Sequence, residues 1–399
     1  MDIAHRLFAL LALAALALPQ SGKDDDEVAK TPVDPYTEGD LTALVAAGLV
    51  AYGPFQWTAH ARTEDIDRVL GEGRVLWLET EHFKIGCNLR TIGLPKKPDE
   101  KKALMAECKA LHDKLPKVPE RPKKLDPWLR LHLFAQRAEA VYAQYEEMLG
   151  PEGTTFPGGA TPPNGQYLGL PGKFLLLLFQ KKSDLARYFD RFAGGIQADR
   201  SYGHYHLEGY QMLYGVSAEG LEIDDDPGLH SHVVYGIAGN IAVGYRGYTW
   251  RLPPWLSEGL AHWFSRQIET NYVNITVKDE DNVDDKEQHK WHKKVRARAK
   301  YDRTVVPFSR MLEWKAVEDM GYHDHLQAWS RVDFLMQQGH DKVGALLRRL
   351  KGLTAPSGGM PQDVLIGTQT EVLEEVFDMD PETFDARWRE WVEDTYPRK

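Results

Sequence analysis

The sequence predicts an α+β fold, a small mixed sheet with helices followed by an all-helical C-terminal part. Three observations carry this. Up to about residue 270, strand-like stretches ("RVLWLETEHFKIGC", "KFLLLLF", "GYQMLYGVSA") alternate with helix-like ones. From about Val305 onward the apolar residues recur at three and four, as in "HLQAWSRVDFLMQQ". No internal repeat runs through the chain, which sets aside a solenoid or propeller.

With 399 residues and 42% hydrophobic content, the chain can bury a real core as one large domain with additions, or as two. A formal charge of -10 argues against nucleic acid or an anionic membrane as the main partner, because both need a basic face. The local exception, "KWHKKVRARAKYDR", follows the acidic run "KDEDNVDDKE" and reads as a solvated helix whose charge that run offsets.

In chain order, "MDIAHRLFALLALAALALPQS" joins an early Arg6 to an apolar stretch too short for the roughly 20 residues of a spanning helix, which reads as a signal peptide. No later stretch is long and apolar enough to span a bilayer, so an exported, soluble mature chain is expected. "GKDDDEVAKTPVDPYTEGD" suits a linker that buries nothing. "DLTALVAAGLV" has helical spacing behind Asp40 as a cap, and "RVLWLETEHFKIGC" has the aromatic and β-branched content of a strand. "EKKALMAECKALHDKL" and "LRLHLFAQRAEAVYAQYEEML" return to helical spacing. A Gly/Pro loop precedes "KFLLLLF", a central strand, then the helix "SDLARYFDRFAG" and the strand "GYQMLYGVSA". Two helices follow, in "LHSHVVYGIAGNIAVGY" and "PPWLSEGLAHWFSRQ". The expected organisation is a signal peptide at 1–18, a linker at 19–39, an α+β domain at 40–270 and a helical subdomain at 271–399.

The segment "PPWLSEGLAHWF" resembles the second active-site helix of gluzincin metallopeptidases, closest to the peptidase MA-like proteins of bacterial exported proteomes. In that family a Pro-Trp-Leu-x-Glu-Gly-x-Ala segment supplies the third zinc ligand. The resemblance implies a zincin-like fold for 40–270, with Glu258 as that ligand and "GYQMLYGVSA" as the edge strand before the catalytic helix. It covers roughly residues 75–399, and only the Trp-Leu-x-Glu-Gly segment is specific.

Upstream the family requires H-E-x-x-H, two imidazoles on one helix face to chelate zinc and a Glu to act as general base toward its water. Here Pro227 to Ser257 holds no Asp or Glu, and its two histidines, His230 and His232, are two apart, about 200° around a helix. Val234, Ile237, Ala238 and Ile241 are expected to fill the place of the metal. Asp226 is expected to cap this helix, with Pro227 in its first turn.

The reading is therefore a peptidase-like protein without zinc or catalysis, binding a peptide or protein in a remnant cleft of His230, His232, Glu258 and His262. One alternative is a metal-dependent hydrolase whose ligands, if any, are Glu258, His262 and His232; another is a structural cell-envelope protein. If the frame is intact, His at 234 and 238 with Glu at 235, or a motif starting at His230, should rebuild a three-ligand zinc site with Glu258. The histidines around 289–292 and 323–325 read as surface or loop residues, although Tyr322 or His323 could stand where the family polarises the substrate carbonyl. "GHYHLEG" carries a second His-x-His, His204 and His206, on one face if it is a strand. The tryptophans, among them Trp250, Trp255, Trp263 and Trp329, read as core and cleft wall. In an exported chain the two cysteines, Cys87 and Cys108, are expected to form a disulfide, with two buried thiols as the alternative.

Overall fold

A computed structural model describes residues 33–248, 252–275, 289–353 and 360–398. The signal-peptide stretch, the start of the linker, the acidic run at 278–287 and Trp250 lie outside the described residues. Residues 31–399 form one compact unit. Among the described residues there are thirteen helices and one six-stranded mixed sheet, with a helical C-terminal part. No helix there is long and apolar enough to cross a membrane.

The first elements are α1 (Leu41–Ala46), β1 (Leu49–Tyr52), α2 (Thr63–Leu70), β2 (Leu76–Thr80) and β3 (Phe83–Cys87). Asp40 caps α1 as expected, accepting from the Thr42 N–H at 2.8 Å. "RVLWLETEHFKIGC" is not one strand but the hairpin β2–β3, paired antiparallel from Leu76↔Cys87 to Glu79↔Lys84. Next come α3 (Pro98–Lys114), α4 (Pro127–Thr154), β4 (Phe174–Phe179), α5 (Lys182–Phe192), β5 (Ser201–His206) and β6 (Gln211–Ser217). The strand order is β1-β2-β3-β4-β6-β5, with β3, β4 and β6 parallel and β5 antiparallel to β6. The edges are thus β1 and β5, and "GYQMLYGVSA" forms the interior strand β6, contrary to the expectation.

β4 explains its own apolar run, because both its faces are covered. Phe174, Leu176 and Leu178 enter the main core, while Leu175, Leu177 and Phe179 meet Leu185, Tyr188 and Phe189 of α5 and Ile66 and Leu70 of α2. The main core continues into α6 (Asp226–Gly244), α7 (Pro254–Arg266), α8 (Trp291–Ala299), α9 (Phe308–Met311), α10 (Tyr322–Gln338), α11 (His340–Lys351), α12 (Gln362–Phe377) and α13 (Pro381–Thr395). One core therefore runs through both expected halves.

Two expectations are corrected here. The end of the expected linker does bury groups: Asp34 and Thr37 are inaccessible, and His132 of α4 donates through Nε2 to Asp34 Oδ2 at 2.9 Å. Burial alone would raise the Asp34 carboxyl, but His132 and Tyr52 hold it down, to about 2. The Cys87–Cys108 disulfide is absent; both are free, buried thiols. Cys87 points into the main core from β3, whereas Cys108 packs with Leu104, Leu111 and Leu133 in a satellite core between α3 and α4. Burial pushes both thiols up to about 11, so they behave as small apolar side chains.

Candidate functional site

α6 starts where Asp225, not Asp226, caps it, accepting from the Gly228 N–H at 2.8 Å. Asp226 faces inward instead and takes both Nη groups of Arg137 from α4, at 2.6 and 3.1 Å. Arg137 also binds Glu107 of α3, through Nε at 3.1 Å and Nη2 at 2.6 Å. This clasp sets where α6 begins and hence which of its faces meets α7.

The facing side carries Tyr235, Gly236, Gly239 and Asn240, which border a cavity of about 250 Å³ with His204 and Tyr205 of β5, Tyr214 of β6 and Glu258 of α7. At Gly236 a Cβ would lie 2.0 Å from the Tyr214 ring, so only glycine admits that ring. At Gly239 the nearest atom to a Cβ is Ala261 Cβ at 3.8 Å, which leaves room. Val234, Ile237, Ala238 and Ile241 are buried as expected, yet they do not fill the space before Glu258. Val234 points with His230 toward α4, into a separate cavity lined by Gln144 and Phe264. The registers starting at His230 or Val234 therefore place side chains on the wrong side of α6, and the pair facing Glu258 is Tyr235 and Gly239.

Of the four expected cleft residues, two come together. On α7, Glu258 and His262 lie one turn apart, with Glu258 Oε2 3.8 Å from His262 Nε2. Tyr235 donates its hydroxyl to Glu258 Oε2 at 2.7 Å, and its ring lies 5.0 Å from that of His262. Burial and then the Glu258 charge raise the Tyr235 phenol well above its ordinary range, so it stays a donor. The third partner is His325, which sequence reasoning took for a surface or loop residue. It is buried in the first turn of α10, with Nδ1 3.1 Å from His262 Nε2 and 3.4 Å from Glu258 Oε2. Its signal was present: it precedes Trp329 by four and Val332 by seven, on the apolar stripe of α10. Among the described residues, Glu258, His262 and His325 are the one group of this kind placed to hold a metal ion.

Gly259 makes the third contact possible. A Cβ there would lie 2.4 Å from Val332 Cγ2 and 2.8 Å from the Ala328 carbonyl, so the Glu-Gly pair lets α7 and α10 approach closely. Trp255 anchors the same helix by donating to Gln369 Oε1 of α12 at 2.8 Å.

His230 and His232 are not in this group. His230 Nδ1 is 3.8 Å from Glu107 Oε1, on the α3–α4 side. His232 accepts the Tyr214 hydroxyl at Nε2 (2.8 Å) and donates through Nδ1 to Asn274 Oδ1 (2.9 Å). His232, named with Glu258 and His262 as a ligand only if a metal were bound, thus lies apart from that pair, and the third group beside them is His325. The pair His204 and His206 does lie on a strand, β5, with ring centroids 4.7 Å apart, and His204 reaches the cavity. His323, offered as a group polarising a carbonyl, is held instead by Arg298.

Burial lowers His232 to about 4 despite the Asn274 hydrogen bond. The unfolded chain, near 6.5, therefore takes up that proton first, so the contribution of His232 to stability is complete above about pH 6.5 and is lost as pH falls toward 4. Urea unfolding of the His232→Gln variant between pH 4 and 7 is expected to show a shallower acid loss than the parent; parallel curves would contradict this.

No family model, no curated protein and no solved structure matches the chain.

Proposed function

We propose that this chain is an exported, peptidase MA-like protein of gluzincin type whose cleft binds an extended peptide or protein segment without cutting it. One observation carries the reading. The face of α6 turned to Glu258 is where a zinc-binding His pair and its general base would act, and the residues there are Tyr235, Gly236 and Gly239. Two glycines and a phenol that is kept protonated as a donor to Glu258 supply neither the two-imidazole chelate nor the carboxylate base. The zinc that the resemblance implies on α6 therefore does not fit the residues present. Glu258 is the sole carboxylate among the described residues of the cavity wall, and it already accepts the Tyr235 hydroxyl.

The frame for binding is supported by other features. β5 is an edge strand, and the register with Ser217 N–H donating to the Arg200 carbonyl turns the backbone of Gly203 and Tyr205 outward, beside the cavity. An added strand could hydrogen-bond there while its side chains enter the cavity. Tyr205 and Tyr248, ring centroids 4.9 Å apart, supply aromatic wall.

The test uses the purified chain and a fluorescently labelled, unfolded casein. Binding is expected, with the casein intact after prolonged incubation. The Gly239→Leu variant, which gains helix propensity but fills the cavity floor, is expected to fold and to lose at least tenfold in affinity. Cleavage by the parent, or binding indifferent to Gly239→Leu, would overturn the reading.

A further inference from the structure

We propose that Glu258, His262 and His325 form a site for one zinc-class divalent ion, which would tie α7 to α10 at the base of the cleft. It goes beyond the cleft reading, using two histidines from outside α6, and stands or falls separately.

The geometry is that of three ligands around one centre. The atoms His262 Nε2, His325 Nδ1 and Glu258 Oε2 make a triangle with edges of 3.1, 3.4 and 3.8 Å. Ligands at about 2.0–2.2 Å from a tetrahedral zinc lie roughly 3.3–3.6 Å from one another. Two of the edges thus miss the ideal by about 0.2 Å, which small side-chain rotations would remove. Without an ion the same groups are tied in two separate hydrogen bonds, His262 to His325 at 3.1 Å and Tyr235 to Glu258 at 2.7 Å, and an ion would take the place of the first and join all three side chains. Two ring nitrogens and a carboxylate oxygen suit zinc, cobalt or nickel rather than calcium or magnesium, which favour all-oxygen sets.

Burial and access also agree. His262 and His325 are enclosed, and Glu258 together with Tyr235 forms the boundary with the cavity. An ion would therefore enter from the cleft past Tyr235. Gly259 holds the backbones of α7 and α10 close enough for ligands from two helices to converge. Because the three ligands come from two helices, Glu258 and His262 on α7 and His325 on α10, the ion would act as a clamp between them.

The test is titration of the full chain, stripped with chelator, with Zn²⁺ by calorimetry and with Co²⁺ by visible absorption. One ion per chain is expected, with the absorption of a tetrahedral Co²⁺ centre and a rise in melting temperature. Removing even the outer support of a metal ligand lowers affinity about 10–100-fold, so His325→Ala and Glu258→Gln should each lose roughly 100-fold or more. The control variants His232→Gln and His206→Ala should bind as the parent does. His325→Gln serves if His325→Ala does not fold, judged by circular dichroism. No stoichiometric ion in the parent, or unchanged affinity in the folded His325 and Glu258 variants, would overturn the site.

Discussion

Replacing Arg137 by Met is expected to destabilise the chain by about 3–5 kcal/mol, the cost of breaking a buried ion pair by removing one partner. Arg137 is nearly inaccessible and holds two carboxylates at once, Asp226 at the start of α6 and Glu107 on α3. Burial alone would raise the Asp226 carboxyl, and Arg137 keeps it ionised. Without the guanidinium, a buried carboxylate must either take up a proton or draw water inward, and the first turn of α6 loosens in both cases. Arg137→Lys should recover little, because one ammonium cannot pair with two carboxylates in the forked geometry seen here. Adding Asp226→Asn to Arg137→Met should restore part of the loss by removing the stranded charge. Urea denaturation checks all three; a loss below about 1 kcal/mol, or full rescue by Lys, would show that the clasp does not hold α6.

The helices were largely legible because their apolar residues keep a period. α4 and α10 show it along their lengths, and β4 announced itself as a run of six apolar residues between two covered faces. The edge strand β5 was less legible, since "SYGHYH" is half-exposed and polar, as edges tend to be. The β2–β3 hairpin was missed because its connection, Glu81-His82, contains none of the usual turn residues. At the site, Glu258 and His262 were found together because a helix fixes residues four apart on one face. His325 stands 63 residues further on, and its approach depends on tertiary packing at Gly259. The register of α6 was illegible for another reason. That helix is buried on nearly all sides, so its hydrophobic pattern gives no hint of which face looks toward α7.

The register now yields a sharper engineering result. In a His325→Ala background, Tyr235→His and Gly239→His together are expected to create a new zinc site with Glu258. The two positions lie one turn apart on the cleft face: Tyr235 already touches Glu258 Oε2, and Gly239 has open space above it. Three protein ligands should bind zinc at least 100-fold more tightly than the background chain, since the removal of one such ligand costs roughly that or more. The gain should vanish when Glu258→Ala is added. By contrast, Val234→His with Ala238→His, the His pair of the register that the sequence alone favoured, with Tyr235 kept, should bind zinc no better than the background, because Val234 faces α4. A general base is harder to restore. Glu at 236 would drive its Cβ into the Tyr214 ring, so Gly236→Glu needs Tyr214→Ala beside it to fold. Calorimetry with Zn²⁺ decides between the registers. If the 235/239 pair fails to bind, or binds regardless of Glu258, then the cleft faces of α6 and α7 do not meet as described, and the peptidase-like reading of this cleft fails with them.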